Sequence, residues 1–290
     1  MCKLEEKNKY PIALTIAGSD SCGGAGIQAD LRTFAAYGVY GVSAITAVTA
    51  QTPDKITAIE CLSGSLVTAQ LQAIFSSLAI NTVKIGMLGN ADIIQAVVNL
   101  LDLFQPQNII IDPVLKSTSG TSLLEEEAIE LMKSRLLPHA TWFTPNVLEA
   151  EVLIGLKIKN YDDMAEAALR CSELWNCVTI IKGGDFKPNG KPKKIIDFMA
   201  SQGKIYELSA KRVKKPKDYN ESFSHGTGCT FSSAIAASLA LDMHWKDVAI
   251  ASKAFVLGSL NETVITGDST CAMYPPTGAY RNMVTFKQYS

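Results

Sequence analysis

The chain has no Cys-x-x-Cys pair, only three histidines and no excess of charge of either sign. Its seven cysteines stand at 2, 22, 61, 171, 177, 229 and 271, an odd number without framework spacing. That argues against a disulfide scaffold or a zinc knuckle. Three histidines with no His-x-x-x-His pair give little basis for a dedicated transition-metal centre. A formal net charge of −1 supplies no basic field for nucleic acid. The N-terminal stretch MCKLEEKNKY is charged, with no apolar run behind it, so no secretory leader is expected. The longest uncharged stretch, 33–53, is long enough to raise a membrane span. Gly38, Gly41, Ser43, Thr46 and Thr49 interrupt it, and it reads as a helix end, a turn and a buried strand. A cytoplasmic protein without membrane or nucleic-acid partners is the expectation. Also missing are the Gly-Lys-Ser/Thr ending of a P-loop and the spacing of a dinucleotide fingerprint.

What is present is a large apolar fraction, 47% hydrophobic against 19% charged, which suits a globular chain with a substantial core. The 290 residues allow one or two domains at about 150 residues each. No repeat or linker divides them, so a single domain over 1–290 is expected. Short β-rich runs at 12–17, 42–50, 82–87, 108–112, 141–144 and 178–183 are apolar on consecutive positions, as strands buried on both faces are. Helical patterns fill the gaps. In 65–79, Val67, Leu71, Ile74, Phe75 and Leu78 share a face. Ser122 with Glu125 reads as a capping box opening a helix toward Pro138. Asp163 with Glu166 reads as another, with Met164, Ala167, Ala168, Cys171 and Leu174 inside. The alternation predicts an α/β three-layer αβα sandwich around a mainly parallel sheet. The stretch 185–208, turning at 201–203, predicts an antiparallel hairpin on one sheet edge. The basic loop 211–222 leads from it into a glycine turn.

That turn, His225-Gly226-Thr227-Gly228-Cys229-Thr230, opens onto the apolar helical run FSSAIAASLAL. The first N–H groups of a helix have no intrahelical partner and carry partial positive charge, so an anion is held there. Cys229 puts an ionisable thiol on the same electropositive turn, where thiol pKa values tend to fall. A phosphate cradle containing a candidate base points to phosphoryl transfer. A second glycine-rich stretch, AGSDSCGGAGIQADLRT (17–33), follows the first strand. Two readings stay open for it: backbone brought close to a small substrate, or a tight strand–helix connection. Asp30, one turn into its helix, either points at a ligand or is a solvated helix residue. Several polar positions fall at strand ends, namely 18–20, Gln51, 86–87, Asp112, Asn146 and 182–184, where open α/β sheets bind ligands.

Taken in order, the first glycine stretch, Gln51, KIGML (84–88), DPV (112–114), TPN-x-x-E (144–149), KGG (182–184) and HGTGCT (225–230) span nearly the whole chain. This ordered set resembles the hydroxymethylpyrimidine/phosphomethylpyrimidine kinases of thiamine biosynthesis, in the ribokinase-like superfamily. The resemblance implies ATP and Mg²⁺, and phosphorylation of 4-amino-5-hydroxymethyl-2-methylpyrimidine and then of its monophosphate. It implies a homodimer. Gly226, Thr227 and Gly228 match the family's anion hole, and Cys229 the residue that deprotonates the substrate hydroxyl. Lys182 matches the lysine that meets ATP phosphates. Asn146 and Glu149 match the Asn-x-x-Glu signature that positions hydrated Mg²⁺, whose ligands are oxygens. Asp112, a charge at the end of a buried strand, needs a partner, and the metal region supplies one. Gln51 matches the residue whose amide meets the aminopyrimidine edge, since an amide offers both donor and acceptor. Gly18, Asp30, Met87 and Val114 match substrate-pocket positions. Pyridoxal kinases of the same fold often carry Met where Gln51 stands, so pyridoxal phosphorylation is the nearest alternative. A non-catalytic pyrimidine-binding sensor is the alternative of another class. Three departures stand out: Ser21-Cys22 where Pro-Ser is common, Thr118 where Lys is common, and an atypical segment at 267–280.

Overall fold

The computed structural model describes residues 10–52, 54–116, 120, 122–188, 190, 192–214, 224–267 and 270–289. Thr118 and most of the basic loop, 215–222, lie outside the described residues. The strands are β1 (Ile12–Asp20), β2 (Tyr40–Gln51), β3 (Ile56–Cys61), β4 (Thr82–Ile85), β5 (Asn108–Ile111), β6 (Trp142–Phe143), β7 (Val178–Ile181), β8 (Lys194–Ser201), β9 (Lys204–Lys211), β10 (Val264–Gly267), β11 (Thr270–Ala272) and β12 (Thr285–Gln288). Ten of them form one sheet in the order β12-β9-β8-β7-β6-β5-β4-β1-β2-β3, while β10 and β11 pair as a separate ribbon. From β2 through β1, β4, β5 and β6 to β7 every pairing is parallel. The outer pairings, β3 on β2 and β8, β9 and β12 on the other side, are antiparallel.

The helices are α1 (Gly26–Ala36), α2 (Gly64–Ser77), α3 (Ala91–Phe104), α4 (Glu126–Leu131), α5 (Val147–Ile154), α6 (Tyr161–Trp175), α7 (Thr227–Ala240) and α8 (Trp245–Asn261). Alternate residues of the central strands serve two separate cores. Leu14, Ile16, Ile109, Ile111 and Phe143 pack with residues of α2 to α6. Ala13, Ile110 and Trp142 pack with Phe34 of α1, Phe231 and Ile235 of α7 and Val248 of α8. This is why the strands read as unbroken apolar runs: each side chain has a helical layer to enter. The predicted αβα sandwich is the observed architecture. The chain runs from β1 outward to β3, then crosses back to place β4 on the other side of β1. That reversal opens a crevice at the carboxyl ends of β1 and β4.

Several local expectations need correction. Ser122 does not cap a helix; its hydroxyl donates to the Leu124 carbonyl at 3.0 Å. Helix α4 starts at Glu126 instead and passes into a wider turn over Met132–Leu136 and a tight one over Leu137–His139. Pro138 sits in the first turn of that last piece, where its missing N–H costs nothing. Helix α6 is capped by Asn160, which accepts from the Asp163 amide at 2.8 Å. Leu174 points outward at 57% exposure, and Trp175 takes its inner place. The hairpin of β8 and β9 turns at Gln202 and Gly203, both at positive φ (50° and 73°), as a two-residue primed turn requires. It is not the sheet edge, because β12 pairs outside β9. Strands β3, β10, β11 and β12 carry no marked strand pattern in the sequence.

Candidate active site

A cavity of about 420 Å³ opens at the carboxyl ends of the parallel strands, closed on one side by the start of α7. Its wall includes Gly18, Gln51, Met87, Val114, Asp112, Asn146, Glu149, Lys182 and the whole turn Gly226–Cys229. Sequence positions from 18 to 229 therefore meet in one chamber. Asp30 is the exception. Its side chain is fully buried behind the wall, where it accepts from Thr15 Oγ1 (2.6 Å), Lys84 Nζ (2.9 Å) and Ser233 Oγ (2.6 Å). It has no free face for a substrate.

The turn before α7 is built by close backbone contact. Gly226 is the residue capping the helix, at φ 82°. A Cβ there would overlap the Gly24 carbonyl of the first glycine stretch, so only glycine fits. The two glycine loops thus lie back to back. Thr230 N donates to Gly226 O at 2.9 Å, the first bond of the helix, which leaves the N–H groups of Thr227, Gly228 and Cys229 without intrahelical partners. Lys182 and Asp112 abut the same turn: a Cβ on Gly228 would lie 3.4 Å from Lys182 Nζ and 3.5 Å from Asp112 Oδ2.

The buried charges are arranged in two layers. In front, Lys182 Nζ donates to Asp112 Oδ1 at 2.6 Å. Burial opposes the Lys182 ammonium, but Asp112 and Glu149 outweigh it and hold its pKa above the ordinary lysine value. The partner that Asp112 requires is thus Lys182, supported by the hydroxyls of Thr144 (3.4 Å) and Ser232 (3.3 Å). Glu149 forms a capping box with Asn146: the Asn146 side chain accepts from Glu149 N, and Glu149 Oε2 accepts from Asn146 N at 2.7 Å. Burial lifts the Glu149 carboxyl above the usual carboxylate range; Lys182 opposes this and Asp112 adds to it. Two buried carboxylates share one lysine here. That excess of oxygen donors and negative charge is the chemistry a divalent cation such as Mg²⁺ takes.

Behind the turn lies Lys84, fully buried against Asp30. Burial works against its charge, yet Asp30 foremost keeps its pKa well above the ordinary value. The string KIGML (84–88) contains this cation but does not reveal its burial or its partner. It lowers the Cys229 pKa, as does the Gly26 amide, but burial dominates and pushes the thiol up to about 11, with Asp30 and Asp112 adding to the rise. Burial thus opposes the depression of the thiol pKa expected at a helix start.

On the other wall, His225 Nε2 lies 2.9 Å from Asp20 Oδ2 and 3.1 Å from Gln51 Nε2. Burial opposes the charged imidazole, but Asp20 raises its pKa to about 9. Ser21 Oγ accepts from Gln51 N at 2.8 Å and donates to Gln51 O at 3.0 Å, so the first glycine loop fixes the backbone of Gln51. At the far end, Lys253 pairs with Asp197 at 2.5 Å, and Asp197 also accepts from Gly183 N at 2.9 Å, pinning the turn after Lys182. Asp197 and Lys253 fall in no motif, while Asp20, Lys84 and His225 lie inside the strings 17–33, 84–88 and 225–230 but act through residues distant in sequence.

A family model described as phosphomethylpyrimidine kinase matches residues 20–273. The chain belongs to the phosphomethylpyrimidine kinase family. A hydroxymethylpyrimidine/phosphomethylpyrimidine kinase of Synechococcus elongatus is 40% identical over 89% of this chain and 94% of its own length. Among solved structures, the phosphomethylpyrimidine kinase of Clostridium difficile is 37% identical, with a TM-score of 0.72 over 85% of this chain and 97% of its own. The Bacillus subtilis pyridoxal kinase, solved as an ADP complex, is 32% identical with a TM-score of 0.80, over 92% and 97%. The fold is that of the ribokinase-like kinases, in agreement with the sheet described above.

Proposed function

We propose that this chain transfers the γ-phosphoryl group of ATP to the hydroxymethyl group of 4-amino-5-hydroxymethyl-2-methylpyrimidine and then to the resulting monophosphate, in thiamine biosynthesis. The observation that carries this reading is the open helix start at Gly226–Cys229 with Lys182 directly beside it. Amides and an ammonium aimed at one point stabilise charge on a phosphoryl group in transfer, which is the main demand of this chemistry. The substrate choice rests on family membership and on Gln51 at the cavity wall.

In this reading Cys229 Sγ takes the hydroxyl proton as the substrate oxygen bonds to the γ-phosphorus and the bond to the ADP oxygen breaks. The amides of Thr227, Gly228 and Cys229 hold the phosphoryl oxygens, and Lys182 the phosphates. Asp112, Glu149 and Asn146 would hold hydrated Mg²⁺, which when bound neutralises phosphate charge. Gln51 reads the aminopyrimidine edge, with Gly18, Met87 and Val114 shaping its surroundings. The homodimer and the cytoplasmic setting belong to the same proposal; among the described residues no helix is long and apolar enough to cross a membrane.

The test is ADP release with the pyrimidine alcohol, its monophosphate and pyridoxal as separate acceptors. The pyrimidines should give the higher kcat/KM. Preference for pyridoxal would favour the second reading, for which the higher TM-score of the pyridoxal kinase speaks. Gln51→Met should lower kcat/KM for the pyrimidines about 10- to 100-fold, the usual cost of an unpaired polar edge, while sparing pyridoxal. Equal losses on both acceptors would remove Gln51 as the selector.

A further inference from the structure

One cluster at the cavity mouth has no part in phosphoryl transfer. Asp20, at the end of β1, Cys22, two residues on, and His225, before Gly226, bring a carboxylate oxygen, a sulfur and a ring nitrogen within 4.8 Å of one another. We propose that these three residues form a site for a thiophilic divalent cation, Zn²⁺ in class, and that filling it inhibits the kinase reaction proposed above by withdrawing His225 from Gln51.

The geometry is close to what such an ion needs. A tetrahedral zinc site has bonds of about 2.0 Å to nitrogen and oxygen and about 2.3 Å to sulfur, so its donors stand about 3.3 Å (N–O) and about 3.5 Å (S–O) apart. Here His225 Nε2 and Asp20 Oδ2 are 2.9 Å apart, and Cys22 Sγ and Asp20 Oδ2 3.4 Å. For these two pairs, movements of a few tenths of an ångström convert one arrangement into the other, and the sulfur and the ring nitrogen lie within 4.8 Å of each other. The carboxylate is already oriented by amides: Cys22 N donates to Oδ1 at 3.0 Å and Ala25 N to Oδ2 at 2.8 Å. Such supporting bonds set the direction of metal ligands. Asp20 is buried, while Cys22 is exposed, so an ion enters from solvent.

The donor set separates this site from the oxygen donors Asp112 and Glu149. A thiolate with an imidazole selects zinc-like ions over Mg²⁺, whereas the oxygen pair suits hard cations such as Mg²⁺. Two cations of different class can thus occupy one cavity without exchanging places. Coupling follows from a single atom. His225 Nε2 faces both Asp20 and the Gln51 amide. An ion that displaces the Nε2 proton and binds there removes that nitrogen from Gln51, whose backbone is tied to Ser21 inside the same loop. It also clamps the first glycine loop to the turn before α7. Three protein ligands leave a fourth position open to water or to a substrate group.

The test uses the full metal-free chain and Co²⁺ as a spectroscopic substitute for zinc. One equivalent of Co²⁺ should develop a near-ultraviolet thiolate-to-metal charge-transfer absorption, removed by Zn²⁺ and untouched by excess Mg²⁺. Cys22→Ser should abolish the absorption and weaken Zn²⁺ binding by more than about tenfold. Absorption that persists in Cys22→Ser, or never forms, overturns the site, and this readout needs no kinase activity. The inhibitory part is read separately, as ADP release in excess Mg²⁺ with and without micromolar Zn²⁺. Wild type should slow and recover on chelation, while Cys22→Ser keeps the metal-free rate throughout. Equal Zn²⁺ sensitivity of the two proteins overturns the coupling. Absence of ADP release from the metal-free wild type refutes the kinase reading instead and leaves the spectral result standing.

Discussion

A thiol accepts a proton only as a thiolate, and burial holds Cys229 at about pKa 11 in the free protein. At pH 7 only a small fraction of the molecules then carries the thiolate. Because kcat/KM reports the free enzyme's ionisations, it should rise about tenfold per pH unit between pH 7 and 9 if Cys229 is the base. The same pH series on Cys229→Ala should lose that slope, together with about 10²- to 10⁴-fold of turnover, the usual contribution of a general base. A flat wild-type profile with little loss in the alanine variant would leave the amides and Lys182 to carry the reaction. Gly226→Ala probes the cradle itself. Positive φ costs a side chain about 1–2 kcal/mol, and the overlap with Gly24 adds to it. Both the melting temperature and ADP release should fall, and normal values for both would contradict the back-to-back packing of the loops. At this scale the sequence was informative wherever a residue sits in a local string, as Gly226–Cys229 and Lys182-Gly183-Gly184 do. It was silent where function needs a distant partner: nothing near Asp30 announces Lys84, and nothing near His225 announces Asp20. The thiol expectation failed for the same reason, since the helix start is visible in a string but the depth of burial is not.

Four secondary-structure elements converge on the carboxylate of Asp30: α1 carries it, β1 and α7 send the hydroxyls of Thr15 and Ser233, and β4 sends Lys84. The pair Lys84–Asp30 is fully buried, so removal of one partner leaves an uncompensated charge. Lys84→Met should cost about 3–5 kcal/mol of unfolding free energy in urea, and Asp30→Asn in the same chain should recover part of it. A change below about 1 kcal/mol would show that the network is not holding these elements together. The elements themselves were legible in proportion to how uniformly they are buried. The parallel strands β1, β4, β5 and β7 are covered on both faces and stand out as apolar runs. Strand β3 is half exposed, with Thr57 and Glu60 among its apolar residues, and β12 is mostly exposed, so neither shows the unbroken apolar run of a strand covered on both faces. Helix starts failed where two candidate caps compete: Asn160 and Asp163 both precede the apolar face of α6, and tertiary context selects Asn160.

Across the whole molecule, burial of thiols predicts how stability responds to alkali. Cys171 and Cys177 lie at the packed side of α6 and β7, where desolvation raises their pKa values from 9.0 to about 12 and about 11. In the unfolded chain these thiols ionise near 9, while in the folded chain they stay protonated. Between pH 9 and 11 the native state therefore binds more protons than the unfolded state, and unfolding free energy falls as pH rises. The slope approaches about 1.4 kcal/mol per pH unit for each such thiol. Other groups titrate in the same range, so the comparison with a variant isolates the effect. Cys171→Ala loses packing in the core at neutral pH but has no thiol to ionise when unfolded. Its stability deficit relative to wild type, measured by urea unfolding, should shrink by about 2 kcal/mol between pH 8 and 10.5. The direction is the decisive part. A deficit that stays constant would mean that Cys171 ionises as readily in the folded chain as in the unfolded one, which its place in the large core forbids.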